Sequence, residues 1–102
     1  MSMNIYISGP MTGLDPSVIR TNFEVAENRI REKFPETDWI ANPAKLLDFT
    51  DGLTYEQCLS VDLEQLARCD AIYMLKGWQN SKGCNRGYGF ALGRDMVIVE
   101  EE

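Results

Sequence analysis

Ala71-Ile72-Tyr73-Met74-Leu75 is an unbroken apolar run, preceded by Asp70 and followed by the polar stretch Lys76 to Lys82. A strand covered on one face alternates apolar and polar residues. A continuous run of this length is what a parallel strand buried on both faces carries. A sheet of that kind needs helical crossovers between its strands, so the sequence on either side should alternate strand and helix.

It does. Upstream, Thr54 with Gln57 three residues later forms a capping box and opens a helix that runs to about Arg68. Before it, Lys45 to Leu53 reads as irregular or a brief helical turn, and Asp38 to Ala41 as a short strand closed by Asn42-Pro43. Ile19, Phe23, Ala26 and Ile30 recur at helical spacing behind an Asp15 N-cap and Pro16 at the first helical position, and this helix stops before Pro35. Asn4 to Ser8 is the first strand, ended by Gly9-Pro10. Downstream, a helix from about Cys84 to Leu92 ends on Gly93 as its C′ residue, and Met96 to Val99 is the last strand. The expectation is an α/β fold: a small parallel sheet of about four strands, flanked by helices, in a single domain over residues 1–102.

Composition narrows the function. The chain has 102 residues, 44% hydrophobic and 25% charged, an ordinary globular balance. Ten basic against sixteen acidic residues give a net charge of −6, which argues against a nucleic-acid polymer as partner, because phosphate neutralisation needs a basic surface. No apolar run approaches the ~18 residues of a membrane span, and Met1-Ser2-Met3-Asn4 lacks the features of a signal peptide, so the expected setting is cytoplasmic, away from membranes. With no histidine, Ser-His-Asp and Cys-His catalysis and imidazole-ligated zinc are excluded. Cys58, Cys69 and Cys84 lack metal-binding or disulfide-framework spacing and read as free thiols; no metal and no cofactor are expected.

In open parallel sheets ligands bind beyond the carboxyl ends of the strands. That singles out Ser8 to Gly13, Asn42 to Lys45 and Lys76 to Gly83. Ser8-Gly9-Pro10-Met11-Thr12-Gly13 offers two glycines and two hydroxyls between a strand and a helix; such a loop presents N–H groups to an anion, and serves equally as a tight connection. Gly77-Trp78 through Ser81-Lys82-Gly83 leads into a helix start that favours an anion, with Ser81 as a further donor and Trp78 as a wall for a base or sugar, or packed back on the sheet. Asp62 falls on the apolar arc of Tyr55, Cys58, Leu59, Leu63 and Leu66, where a carboxylate costs stability unless it is hydrogen-bonded or faces a cleft. Glu24, Glu27 and Glu32 lie off the stripe of the first helix and should face water, and Glu100-Glu101-Glu102 reads as a solvated end.

Together these pieces resemble the nucleoside 2-deoxyribosyltransferase superfamily, in a compact phage and bacterial branch related to the 2′-deoxynucleoside 5′-monophosphate N-hydrolases. The residues that carry the resemblance are Ile5 to Gly13, Asn42-Pro43, Asp62-Leu63, Cys69 to Tyr73, Gly77-Trp78, Ser81-Lys82-Gly83 and Ala91-Leu92-Gly93. The resemblance implies a Rossmann-like or flavodoxin-like fold and cleavage of an N-glycosidic bond through a glycosyl-enzyme, with an oxocarbenium-like transition state beside a carboxylate. It implies Tyr6 near the nucleophile, Asp62 orienting sugar or nucleophile, and Ser81 helping to hold a 5′-phosphate. Ser8, Gly9, Pro10, Met11, Thr12, Gly13, Asn42, Pro43, Trp78 and Gly83 are the further substrate-binding residues it implies, and a homo-oligomer, a dimer or larger, is the implied assembly.

One position departs. The nucleophilic glutamate of that superfamily falls six residues after Ser81, and here that residue is Gly87. No Asp or Glu lies between Asp70 and Asp95, so no shift of register restores it. Mid-helix glycine also costs about 0.5–1 kcal/mol relative to alanine. Two readings follow: an N-glycosidase or deoxyribosyltransferase scaffold of impaired activity, or a non-catalytic protein that binds a nucleoside or nucleotide to sequester or sense it.

Overall fold

The computed structural model describes residues 3–101. Four strands, β1 (Met3–Ser8), β2 (Thr37–Ala41), β3 (Ala71–Met74) and β4 (Val97–Glu100), form one sheet in the order β2-β1-β3-β4. All three pairings are parallel. The chain is α/β, with the order that begins flavodoxin-like sheets and its switch point between β1 and β3.

The crossovers are α1 (Pro16–Lys33), α3 (Tyr55–Ala67) and α4 (Lys82–Gly93); a 3-10 turn over Pro43–Leu46 and the short α2 (Leu47–Thr50) follow β2, and a second 3-10 turn spans Trp78–Asn80. Side chains alternate along β1. Ile5 and Ile7 face α1, packing with Ile19, Phe23, Ala26 and Ile30. Tyr6 faces the other way, into a second core with Leu66, Ile72, Met74, Cys84 and Ala91. All four residues of β3 are buried, as the apolar run requires.

The starts of α1 and α3 are built as read, whereas α4 begins at Lys82, two residues before the expected Cys84, with Ser81 as its cap. Asp15 accepts from Ser17 N at 2.9 Å, and Thr54 and Gln57 exchange hydrogen bonds of 2.9 and 3.1 Å. The end of α4 differs from expectation. Gly93 is helical, and Asp95 takes the left-handed conformation at φ 56°. Met96 N bonds Ala91 O at 3.0 Å and Asp95 N bonds Leu92 O at 3.2 Å. That is a Schellman motif with Asp95, not Gly93, at C′; aspartate tolerates this conformation better than most side chains.

Three carboxylates expected in water are engaged. Glu27 meets Asn42 Nδ2 at 3.2 Å, Lys45 Nζ at 3.3 Å and Arg31 at 3.3 Å. Burial pulls its carboxyl up, but these partners outweigh it and hold it below the usual range. Glu101 meets Arg29 at 2.9 Å and Tyr73 Oη at 3.3 Å, and Glu100 accepts from Trp78 Nε1 at 3.2 Å. The end of the chain is therefore tied to α1, β3 and the loop after β3; Glu102 lies outside the described residues. No helix among the described residues is long and apolar enough to cross a membrane.

Candidate functional site

Beyond the carboxyl ends of β1 and β3 the chain leaves the sheet in opposite directions, which opens a crevice. Gly9 makes the turn possible after β1: a Cβ there would sit 2.5 Å from Leu75 Cδ1, so the loop lies against the residue following β3 only because position 9 has no side chain. After β3, Gly77 reverses the chain at φ 86° and sends it through Trp78–Asn80 into α4.

The crevice holds a cleft of about 320 Å³, at the lower end of small-molecule site volumes. Its lining is drawn from β1 and the loop after it, from Ile19 and Phe23 of α1, and from α2, α3 and the start of α4. Tyr6, Asp62, Ser81 and Gly87 all line it. Ser8, Gly9, Met11, Thr12, Pro43 and Gly83 line it as well.

Four positions expected at the site stand elsewhere. Trp78 does not line the cleft; it stacks on Tyr88 with ring centroids 4.7 Å apart. Asn42 is buried as the cap of the following turn, accepting from Ala44 N at 3.0 Å while its amide donates to Glu27. Pro10 lines the neighbouring outer chamber, and Gly13, at φ 82°, forms the turn before α1 without lining either space.

Asp62 projects from α3 into the cleft with no hydrogen bond to any described residue, and burial alone pushes its carboxyl up to about 6. Tyr6 is 6% exposed and keeps its proton: burial first, then the charges of Asp62, Cys84 and Cys69, raise its phenol well above the ordinary value. Ser81 caps α4, its Oγ accepting from Cys84 N at 3.2 Å. Its O–H has no acceptor among the described residues and is available to a ligand. Gly87 is a buried stretch of wall: a Cβ there would meet Leu66 Cδ2 at 3.8 Å and Ile72 Cδ1 at 4.0 Å, ordinary contact distances. Asp62 is the sole carboxylate among the described residues that line the cleft. Cys58 and Cys84 also line it, and all three cysteines are unpaired.

Sequence reasoning gave no binding role to Lys82 or Arg86, on the first turns of α4, at the outer edge of the site. Arg86 lies over the Tyr55 ring at 5.1 Å. The available signal was in the sequence: two cations follow Ser81 within five residues, and no acidic residue stands between Asp70 and Asp95.

Fold and site together define an α/β domain with a small-molecule-sized cleft at the carboxyl ends of a doubly wound parallel sheet. The chain belongs to the family described as a domain of unknown function, DUF4406, which matches residues 3–100. No match to a curated protein or to a solved structure is found.

Proposed function

We propose that the cleft binds a nucleoside or 5′-nucleotide on a scaffold of the N-glycosidic-bond-cleaving type, 2-deoxyribosyltransferase or nucleotide N-hydrolase, in which Gly87 silences most of the catalysis. The observation that carries this is one wall of one cleft: Tyr6, Asp62 and Ser81 line it together, and Gly87 lines it with ordinary contact space for a Cβ. A glutamate at 87 would attack C1′ with a carboxylate oxygen. The C1′–N bond would break, the base would leave with a proton taken from an acid, and water or a second base would release the sugar from the carboxylate.

Without that glutamate, Asp62 is the carboxylate left to act. As a carboxylate it can take the proton of a water that attacks C1′, a slower route, since losing a covalent nucleophile costs several orders of magnitude in rate. That Asp62 stands alone also favours a second reading, a non-catalytic nucleotide-binding protein. Leu53 and Tyr55 line the cleft and are exposed, and Phe49 of α2, between the lining residues Leu47 and Thr50, is 68% exposed. This rim supports a homo-oligomer in which a second copy closes the site, and light scattering should give a mass above that of one chain.

Base release, followed by chromatography on 2′-deoxynucleosides and their 5′-monophosphates, tests the proposal with Gly87→Glu beside the parent chain. Turnover by Gly87→Glu at least a hundredfold above the parent supports the silenced glycosidase. Nucleotide binding with turnover by neither protein selects the binding reading. Absence of both binding and turnover overturns both.

A further inference from the structure

The cleft does not end at Ser81. An outer chamber of about 700 Å³ opens beside it, and the two share Met11, Thr12, Tyr55 and Ser81. Charge is sorted between them. The inner cleft is lined by Asp62 and by no lysine or arginine. The outer chamber is lined by Lys82 and Arg86, with Glu56 as its one carboxylate.

Neither cation is spent within the fold. The ion pairs among the described residues engage Arg20, Arg29, Arg31, Lys45 and Arg68, and neither Lys82 nor Arg86 makes one. Arg86 instead lies over the Tyr55 ring, and its guanidinium donates to no described residue. Lys33, Lys76 and Arg94 make no ion pair among the described residues either; what sets Lys82 and Arg86 apart is that both line one chamber. Both are exposed, so neither serves the core.

Ser81 lines both spaces and so marks the boundary. In the reading above, a sugar beside Tyr6 and Asp62 brings its 5′-phosphate to Ser81. Lys82 and Arg86 lie beyond that point, lining the outer chamber alone. Their charge matches a group further along the ligand. We propose that the outer chamber is a second anion site, and that the ligand is a nucleoside 5′-diphosphate or longer 5′-polyphosphate rather than a monophosphate. This rests on the nucleotide reading of the inner cleft. Glu56 tempers the site: its carboxylate opposes a polyanion, so its neutral variant should bind more tightly.

The test is calorimetric titration of the full chain, in buffer of fixed ionic strength containing a chelator, with a 2′-deoxynucleoside, its 5′-monophosphate and its 5′-diphosphate for each of the common bases. The diphosphate should bind about tenfold more tightly than the monophosphate of the same base. Joint replacement, Lys82→Gln with Arg86→Gln, should remove that advantage and leave monophosphate affinity within about twofold. Glu56→Gln should enlarge the advantage, a gain that misfolding cannot produce. Equal affinity for mono- and diphosphate overturns the proposal, as does an advantage that survives the double replacement. A monophosphate loss as large as the diphosphate loss also overturns it, because the cations then serve the 5′-phosphate itself. If nucleoside and monophosphate bind and the diphosphate gains nothing, this proposal alone fails; if none of the three binds, the nucleotide reading fails and takes this one with it.

Discussion

Two glycines at the site have opposite reasons for being glycine. At Gly9 a methyl group would strike Leu75, so Gly9→Ala should cost about 1–3 kcal/mol and lower the denaturation midpoint. At Gly87 a methyl group meets Leu66 and Ile72 at contact distance within a helix, so Gly87→Ala should stabilise by about 0.5–1 kcal/mol. Urea titration of both variants checks the pair, and a destabilised Gly87→Ala would mean that position 87 is glycine for packing. Asp62 gives a pH signature. Its carboxyl, at 3.8 in the ordinary case, stands near 6 in the fold, so folding favours the protonated form. Below about pH 3 the group is protonated whether folded or not and contributes nothing; above about pH 6 it is ionised in the fold at a cost. Asp62→Asn should therefore leave stability unchanged near pH 3 and raise it above pH 6, by up to about 3 kcal/mol at full desolvation and about half that in a cleft open to water. Melting curves of the two proteins that stay parallel from about pH 3 to 8 would contradict this. The chemical oddity of Asp62 was legible in the sequence because helical periodicity places it on an apolar arc. The engagement of Glu27 and Glu101 was not: their partners Asn42, Lys45, Arg29 and Tyr73 come from elements distant in the chain, and no local pattern announces them.

At the scale of elements, the helix starts carried their own signals. Asp15, Thr54 with Gln57, and Ser81 each cap a helix with a side-chain oxygen. Thr54→Ala should cost about 1 kcal/mol, because it removes the hydroxyl that accepts from Gln57 N at the start of α3, the helix that holds Asp62. Denaturant unfolding checks it, and a loss below a few tenths of a kcal/mol would mean that packing, not the cap, holds this end. The end of α4 was misleading for a definite reason. Glycine is the usual C′ residue, but the bonds to Ala91 O and Leu92 O form only when the turn comes two residues later, at Asp95. Trp78 was likewise ambiguous, and its stacking on Tyr88 with a bond to Glu100 draws it back onto the sheet's end rather than over the cleft.

At the scale of the whole molecule, the parallel order was legible from the buried run of β3 and the alternation of strand and helix around it, because the physics is local: apolar period, caps and breakers. The strand order β2-β1-β3-β4 then places the crevice between β1 and β3, and three loops distant in sequence meet there. The division of that crevice into a nearly cation-free inner cleft and a cationic outer chamber was not legible, because it depends on which side of Ser81 each side chain of α4 falls. The central claim, that the inner cleft receives a nucleoside or nucleotide, is tested most directly by amide chemical-shift mapping of the parent chain against 2′-deoxynucleosides and their 5′-monophosphates. Saturable shifts concentrated at Tyr6 to Thr12, around Asp62 and from Ser81 to Gly87 are the predicted result. No saturable shift at millimolar ligand, or shifts centred on another face, would contradict it.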